Sequence, residues 1–160
     1  MPVWTRDQIV QVITERNKDF RGLQMHGADF SGLNLERADF RSARMPYAIF
    51  DDCNCKFGNF EGANIMFTRW HNADLHRANL KECLMQDADM RGVKDFFGVT
   101  LTMDCRTWKG LKLDPGHWYG LLFYGLVAEP PTEEAKEKLQ LFFGVERYQT
   151  LRDLYCTRQM

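Results

Sequence analysis

The chain lacks a surplus of either charge. Its 160 residues carry 21 Lys and Arg against 22 Asp and Glu, a formal net charge of −1. Nucleic acids are held mainly by basic side chains on phosphates, so direct nucleic-acid binding is not expected. Long apolar runs are missing too. The longest, Trp118 to Ala128, is interrupted by Gly120 and Gly125 and is too short to cross a bilayer, so no membrane partner is expected. The opening MPVWTRDQIV has no apolar stretch behind a basic start, which speaks against a secretory leader. A cytoplasmic setting is the expectation, with Cys53, Cys55, Cys83, Cys105 and Cys156 as reduced thiols.

Catalytic signatures are absent as well. There is no CxxC pair, P-loop, GxGxxG, GxSxG or HExxH. The histidines His26, His71, His76 and His117 show no zinc spacing, and His71 and His76 are expected to point outward. No catalytic residue, metal site or cofactor is expected, and the chain does not read as an enzyme.

What the sequence does contain is a period. Every fifth residue from Phe20 is apolar: Phe20, Met25, Phe30, Leu35, Phe40, Met45, Phe50, Cys55, Phe60, Ile65, Trp70, Leu75, Leu80, Met85 and Met90. At 44% apolar content, chance would give such a series about 10⁻⁵ of the time, whatever the phase. On a helix, steps of five define no face, and on one long strand they alternate between faces. A second column resolves this. Two residues before most centres stands a small residue, as in Ala28, Ala38, Ala43, Ala48, Cys53, Gly58, Ala63, Ala73, Ala78, Cys83 and Ala88. Residues two apart point the same way on a short strand. Each unit of five is therefore one short strand and one corner, with one small and one large residue inward. Cys53 and Cys55 fall in these inward columns and read as core hydrophobes.

Phe at 20, 30, 40, 50 and 60 alternates with smaller centres. This suits a four-sided coil in which Phe20, Phe40 and Phe60 stack on one side and Phe30, Phe50 and Trp70 on the opposite one. Thr68 and Trp70 make one oversized unit, where a local bulge is expected. Asp95 falls where a centre is due, so a one-residue slip is expected near 93 to 100, with Phe96 inward and Met103 and Cys105 as the last inward pair.

The triplets Ala28-Asp29-Phe30, Ala38-Asp39-Phe40, Ala63-Asn64-Ile65, Ala73-Asp74-Leu75, Ala78-Asn79-Leu80 and Ala88-Asp89-Met90 resemble the A-(D/N)-(L/F)-x-x motif of pentapeptide-repeat proteins. The resemblance covers about residues 18 to 107. It implies an all-β solenoid, a right-handed quadrilateral β-helix; the open strand edges and bare core at the two ends of such a coil call for N-terminal and C-terminal helical caps. Residues 1–17 then form an N-terminal capping helix, 18–107 the β-helix and 108–160 a C-terminal helical cap or dimerisation segment. In the first, Thr5 with Gln8 fits a capping box, and Ile9, Val10, Val12 and Ile13 give an apolar face. In the last, Asp114 and Pro115 start a helix reaching about Val127, and two more follow. Trp118, Tyr119, Phe123, Tyr124, Phe142 and Phe143 exceed what a lid requires, so a homodimer through these helices stands beside a self-packed cap.

Residues twenty apart stack on the outer surface. One side carries Arg21, Arg41, Glu61 and Lys81, and one corner carries Arg37, Phe57, Arg77 and Phe97, which permits cation–π stacking. Another side places Tyr47, Met66, Phe67 and Leu84 where polar residues are due. This patch awaits either a partner protein or the C-terminal helices. The expected function is a non-enzymatic protein-binding or scaffold module whose partner the sequence does not name. The alternative, implied by the resemblance, is a DNA mimic that binds type II topoisomerase (gyrase), as quinolone-resistance proteins of this kind do. Thirteen acidic and twelve basic residues between 18 and 107 weigh against that strongly acidic type.

Overall fold

The computed structural model describes residues 4–94, 99–101, 110–114, 117 and 137. All fifteen centres from Phe20 to Met90 are buried, and so are the small residues at the preceding inward positions from Ala28 to Ala88. Backbone pairing is parallel at a spacing of twenty. Asp19 pairs with Asp39, Asp39 with Asn59 and Asn59 with Asn79; the other sides run Gln24–Arg44–Asn64–Leu84, Asp29–Ile49–Arg69–Asp89 and Asn34–Asn54–Asp74–Lys94. Twenty residues are four units of five, so the tube has four sides, and each side is a ladder of short parallel strands.

Inside, the rings stack as expected. Phe20, Phe40 and Phe60 lie 4.6 and 4.7 Å apart and nearly parallel. Phe30, Phe50 and Trp70 follow at 4.6 and 4.0 Å. The two stacks meet edge to face, as between Phe30 and Phe40 at 5.7 Å and 89°. Ring spacing matches the separation of about 4.8 Å that hydrogen bonding imposes on neighbouring strands.

Corners explain the rest of the motif. Leu23 N–H donates to the Phe20 carbonyl, Ala28 N–H to Met25 and Ala38 N–H to Leu35, closing a tight turn in every unit but that of Ile65, whose carbonyl accepts from the Thr68 hydroxyl instead. All fifteen residues two after a centre, from Gly22 to Gly92, have positive φ, the signature of a type II turn. Ahead of the turn, the Asp or Asn side chain before the centre accepts a hydrogen bond from the N–H two residues later. Arg21 N–H bonds Asp19, Glu61 N–H bonds Asn59 and His76 N–H bonds Asp74. A short polar side chain is needed to reach this group. Two of the units that lack it answer the need differently. Arg44 precedes Met45, but the next residue is Pro46, which has no N–H. Arg69 precedes Trp70, and the N–H of His71 donates instead to Asp51 one coil earlier, at 3.0 Å.

No bulge occurs at Thr68 and Trp70, contrary to expectation. Ile49, Arg69 and Asp89 keep their spacing of twenty. Thr68 replaces the usual small residue and is itself buried. Its hydroxyl accepts from Trp70 Nε1 at 2.7 Å and donates to the Ile65 carbonyl at 2.6 Å. The larger ring thus keeps its N–H satisfied inside a dry core.

The expected slip is present. Asp74 pairs with Lys94, twenty on, whereas Asn79–Leu80 (β1) pairs with Thr100–Leu101 (β2), twenty-one on. Phe96, Met103 and Cys105 lie outside the described residues. Asp89 then pairs with Lys112, twenty-three on, with Leu111 and Leu113 buried on either side. Stacking therefore continues past residue 107, the end inferred from the repeat, and Leu111 and Leu113 form a later inward pair than Met103 and Cys105. Asp114 Oδ2 accepts from Gly92 N–H at 2.6 Å, and the Asp114 carbonyl accepts from His117 N–H. The rest of the helix expected after Asp114 lies outside the described residues.

At the other end, Arg6–Glu15 (α1) starts on the expected capping box, with Thr5 and Gln8 bonded reciprocally. Ile9 and Val12 belong to the same buried cluster as Phe20, with Ile13 packed against it, and Trp4 Nε1 donates to the Gln24 carbonyl at 2.7 Å. Val10, expected on the apolar face, is 40% exposed instead, because the stripe that faces the coil is narrower than the sequence run. Among the described residues no helix is long and apolar enough to cross a membrane.

Thr68→Val should cost about 1–3 kcal/mol in urea unfolding, since it leaves the Trp70 N–H buried and unpaired. Trp70→Phe should cost less in the Thr68→Val background than alone. Simple additivity of the two changes would show that the hydroxyl is not the partner of the indole.

Candidate functional site: a charge-poor side of the coil

The four sides differ sharply in charge. The side built from residues 23–27, 43–47, 63–67 and 83–87 carries two charged residues, Arg44 and Asp87. Residues 18–22, 38–42, 58–62 and 78–82 carry eight; 28–32, 48–52, 68–72 and 88–92 carry six; and 33–37, 53–57 and 73–77 carry five in only three coils. The charged sides are dressed in local pairs. Arg21 and Arg41 each bond the Asp two residues earlier, Asp19 and Asp39, at 2.7 Å. Arg69 bonds Asp51 across coils at 2.7 Å, and Lys56 reaches Asp74 at 3.2 Å.

On the charge-poor side, Tyr47, Phe67 and Leu84 are exposed by 55%, 41% and 43%, and Met66 is half-buried. The Tyr47 and Phe67 rings stack at 4.8 Å and 6° on the corner, and Leu84 continues the outward column of Arg44 and Asn64. The four residues expected as a patch thus share one side of the coil, with Tyr47 and Phe67 in ring contact. Trp118, Tyr119, Phe123, Tyr124, Phe142 and Phe143 lie outside the described residues.

Tyr47 and Phe67 are also conformationally costly. Their φ values are +64° and +58°. An L-residue with a side chain pays about 1–2 kcal/mol in this left-handed region, and Gly, Asn or Asp would sit there with less strain. Exposed as they are, the two rings offset that strain mainly by stacking on each other.

Sequence reasoning missed Arg44. It is exposed on the same side and makes no ion pair with a described residue. The signal was available in the column Gln24, Arg44, Asn64, Leu84, which holds no acid. The His26 ring lies 5.9 Å from that of Tyr47, tilted by 39°. On the opposite corner, Arg37 sits over Phe57 at 5.7 Å, the cation–π contact expected from the column, and the His76 ring meets Phe57 edge-on at 5.5 Å.

Reactive chemistry is poorly served. Cys53, Cys55 and Cys83 are buried free thiols. Burial pushes the Cys83 thiol up to about 12 and holds Cys55 well above its ordinary value. Thiolates, the reactive form, are thereby suppressed. Among the described residues no group of three or more His, Cys, Asp or Glu could hold a metal ion. Burial also lowers the His117 imidazole, against the opposing charge of Asp114. Several corner carboxylates are stabilised as anions. Hydrogen bonds from Ser31 lower Asp29, and those from Arg41, helped by its charge, lower Asp39. Burial alone would raise Asp89, but the hydrogen bonds and charge of Arg91, with His71, hold it at about 2.

A family profile described as pentapeptide repeats matches in eight copies over residues 19–54 and 59–94. Proteins of that family fold as right-handed quadrilateral β-helices. No curated protein matches the chain in sequence. Among solved structures it is similar to HetL, a pentapeptide-repeat protein involved in heterocyst differentiation regulation in the cyanobacterium Nostoc sp. strain PCC 7120, at 16% identity and a TM-score of 0.56. That match covers 68% of this chain and 46% of HetL, so the chain spans under half of that relative. The Nostoc protein alr5209 matches at 18% identity over 64% of this chain and 99% of its own, with a TM-score of 0.47. A trypsin-treated variant of QnrB1, a plasmid-mediated fluoroquinolone resistance protein, matches at 15% identity over 59% of each chain, with a TM-score of 0.30. The HetL match shows the fold alone; the other two are too loose to carry an argument.

The carboxylates set an acid limit. Because their folded values lie below the ordinary 3.8, they add stability above about pH 4 that is lost as pH falls toward 2. The urea midpoint should be flat above pH 5 and drop between pH 4 and 2, with a smaller drop in Asp89→Asn. A midpoint that rises on acidification would contradict the assignment.

Proposed function

We propose, from its membership of the pentapeptide-repeat proteins, that this chain is a non-enzymatic binding module that captures a protein partner on its charge-poor side. The observation that carries this reading is the Tyr47–Phe67 stack, two exposed rings at strained corners on the side with fewest charges. Binding surfaces are marked by loss of charge at their centre and gain of aromatic residues, Met and Arg, and Tyr47, Met66, Phe67 and Arg44 fit that composition. Rigidity favours the role, since rings held by a stacked backbone lose little freedom on binding. Helix α1, whose Ile9 and Val12 join the buried cluster of Phe20, serves as the lid over the first coil. The DNA-mimic reading, a gyrase interactor of the quinolone-resistance type, is weakened by the near balance of acidic and basic residues on the coils; a gyrase supercoiling assay with no effect of the protein removes it.

Tyr47→Asn/Phe67→Asn replaces both rings with residues suited to positive φ. Relief of strain and loss of stacking, each about 1 kcal/mol, nearly cancel. The double variant should therefore melt within about 1 kcal/mol of the parent, while a protein retained by the parent in affinity capture is lost. An identical set of captured proteins would sink the proposal.

A further inference from the structure

The aromatic corner has a missing rung. The column twenty apart reads Gly27, Tyr47, Phe67, Asp87. Phe67 covers one face of the Tyr47 ring at 4.8 Å. One coil on the other side stands Gly27, with no side chain, a φ of +62° and nothing within 4 Å of the position its Cβ would take. The tilted His26 ring, 5.9 Å from Tyr47, flanks that space. Among the described residues the second face of Tyr47 is thus open above a bare backbone, at a site where the coil spacing would place a further ring in stacking distance.

The dimensions decide what can fill it. Four coils at about 4.8 Å span about 19 Å, and a side three strand residues wide measures about 10 Å. The resulting area, about 200 Å², is far below the roughly 800 Å² per partner that a stable globular interface buries. A second copy docking flat on this side alone is therefore undersized. An extended segment of six residues spans about 20 Å, which matches the height of the side. Arg44, three residues before Tyr47 on the same coil and without an acidic partner among the described residues, calls for a carboxylate.

We infer that the partner is engaged through a short extended peptide that places an aromatic side chain over Gly27 against Tyr47 and an acidic side chain on Arg44. This rests on the binding-module reading and specifies the partner's chemistry. Phe67, Met66 and Leu84 then receive the peptide's remaining apolar side chains further along the tube.

The test is selection from a phage-displayed random hexapeptide library on the full chain, with the enriched peptides synthesised and titrated by fluorescence anisotropy. Enriched sequences should pair an aromatic residue with a nearby Asp or Glu. Gly27→Phe supplies the missing rung from the chain itself and should weaken binding at least tenfold without removing any group. Tyr47→Asn should do the same, so a folding failure of Gly27→Phe leaves the test intact. Arg44→Glu should turn the selected charge from acidic to basic. The inference is overturned if no aromatic-acidic consensus emerges, or if peptide affinity is unchanged in Tyr47→Asn. It is also overturned if sedimentation finds a dimer that Gly27→Phe dissociates, which would assign the site to a second copy. Failure of the peptide alongside loss of a captured protein in Tyr47→Asn/Phe67→Asn would remove this inference and leave the binding-module reading standing.

Discussion

Parallel strands cannot approach closer or drift further than their hydrogen bonds allow, and aromatic rings stack at almost the same distance. In this chain the two requirements coincide. Strand pairing every twenty residues sets the coil spacing, and Phe20, Phe40 and Phe60, with Phe30, Phe50 and Trp70 opposite, fill it at 4.0 to 4.7 Å between centroids. Everything else accommodates this interior. Small residues stand beside Phe30, Phe40, Phe50 and Phe60, and at Gly58 even a Cβ would meet the Phe60 ring; where Thr68 departs from that rule its hydroxyl serves the indole of Trp70.

A tube of such short strands must turn a corner every five residues, and the corners absorb the strain. Left-handed residues at all fifteen corners are the cost of the square section. The Asp and Asn side chains that precede ten of the fifteen centres offset it by holding the N–H that leads into the turn. Most corners carry Gly or a polar residue. Tyr47, Phe57 and Phe67 do not, and of these Tyr47 and Phe67 stand on the side with the fewest charges. The proposed binding surface thus lies where the repeat tolerates residues that its own folding does not favour.

Much of this architecture was legible in the sequence because it is periodic. A step of five marked the inward centres, the size alternation marked four sides, and Asp95 in a core position marked the slip near Lys94. The Thr5–Gln8 capping box was equally local. What escaped depended on relations that no period encodes. The Thr68–Trp70 bond required knowing that both side chains turn inward without distorting the strand, so a bulge was expected instead. The final coil through Leu111 and Leu113 follows a spacing of twenty-three, for which the repeat gives no warning. Arg44 becomes conspicuous only when residues twenty apart are known to be its neighbours and none of them is acidic.

The central claim is that register modulo twenty, rather than local sequence, holds the tube together. Deleting residues 41–60 removes one whole coil and restores every column to its own kind, whereas deleting residues 41–58 shifts each later centre onto the wrong face. Calorimetry of the two deletions tests this directly. The twenty-residue deletion should keep a single cooperative melting transition, and the eighteen-residue deletion should lose it. Equal melting of both would contradict the account.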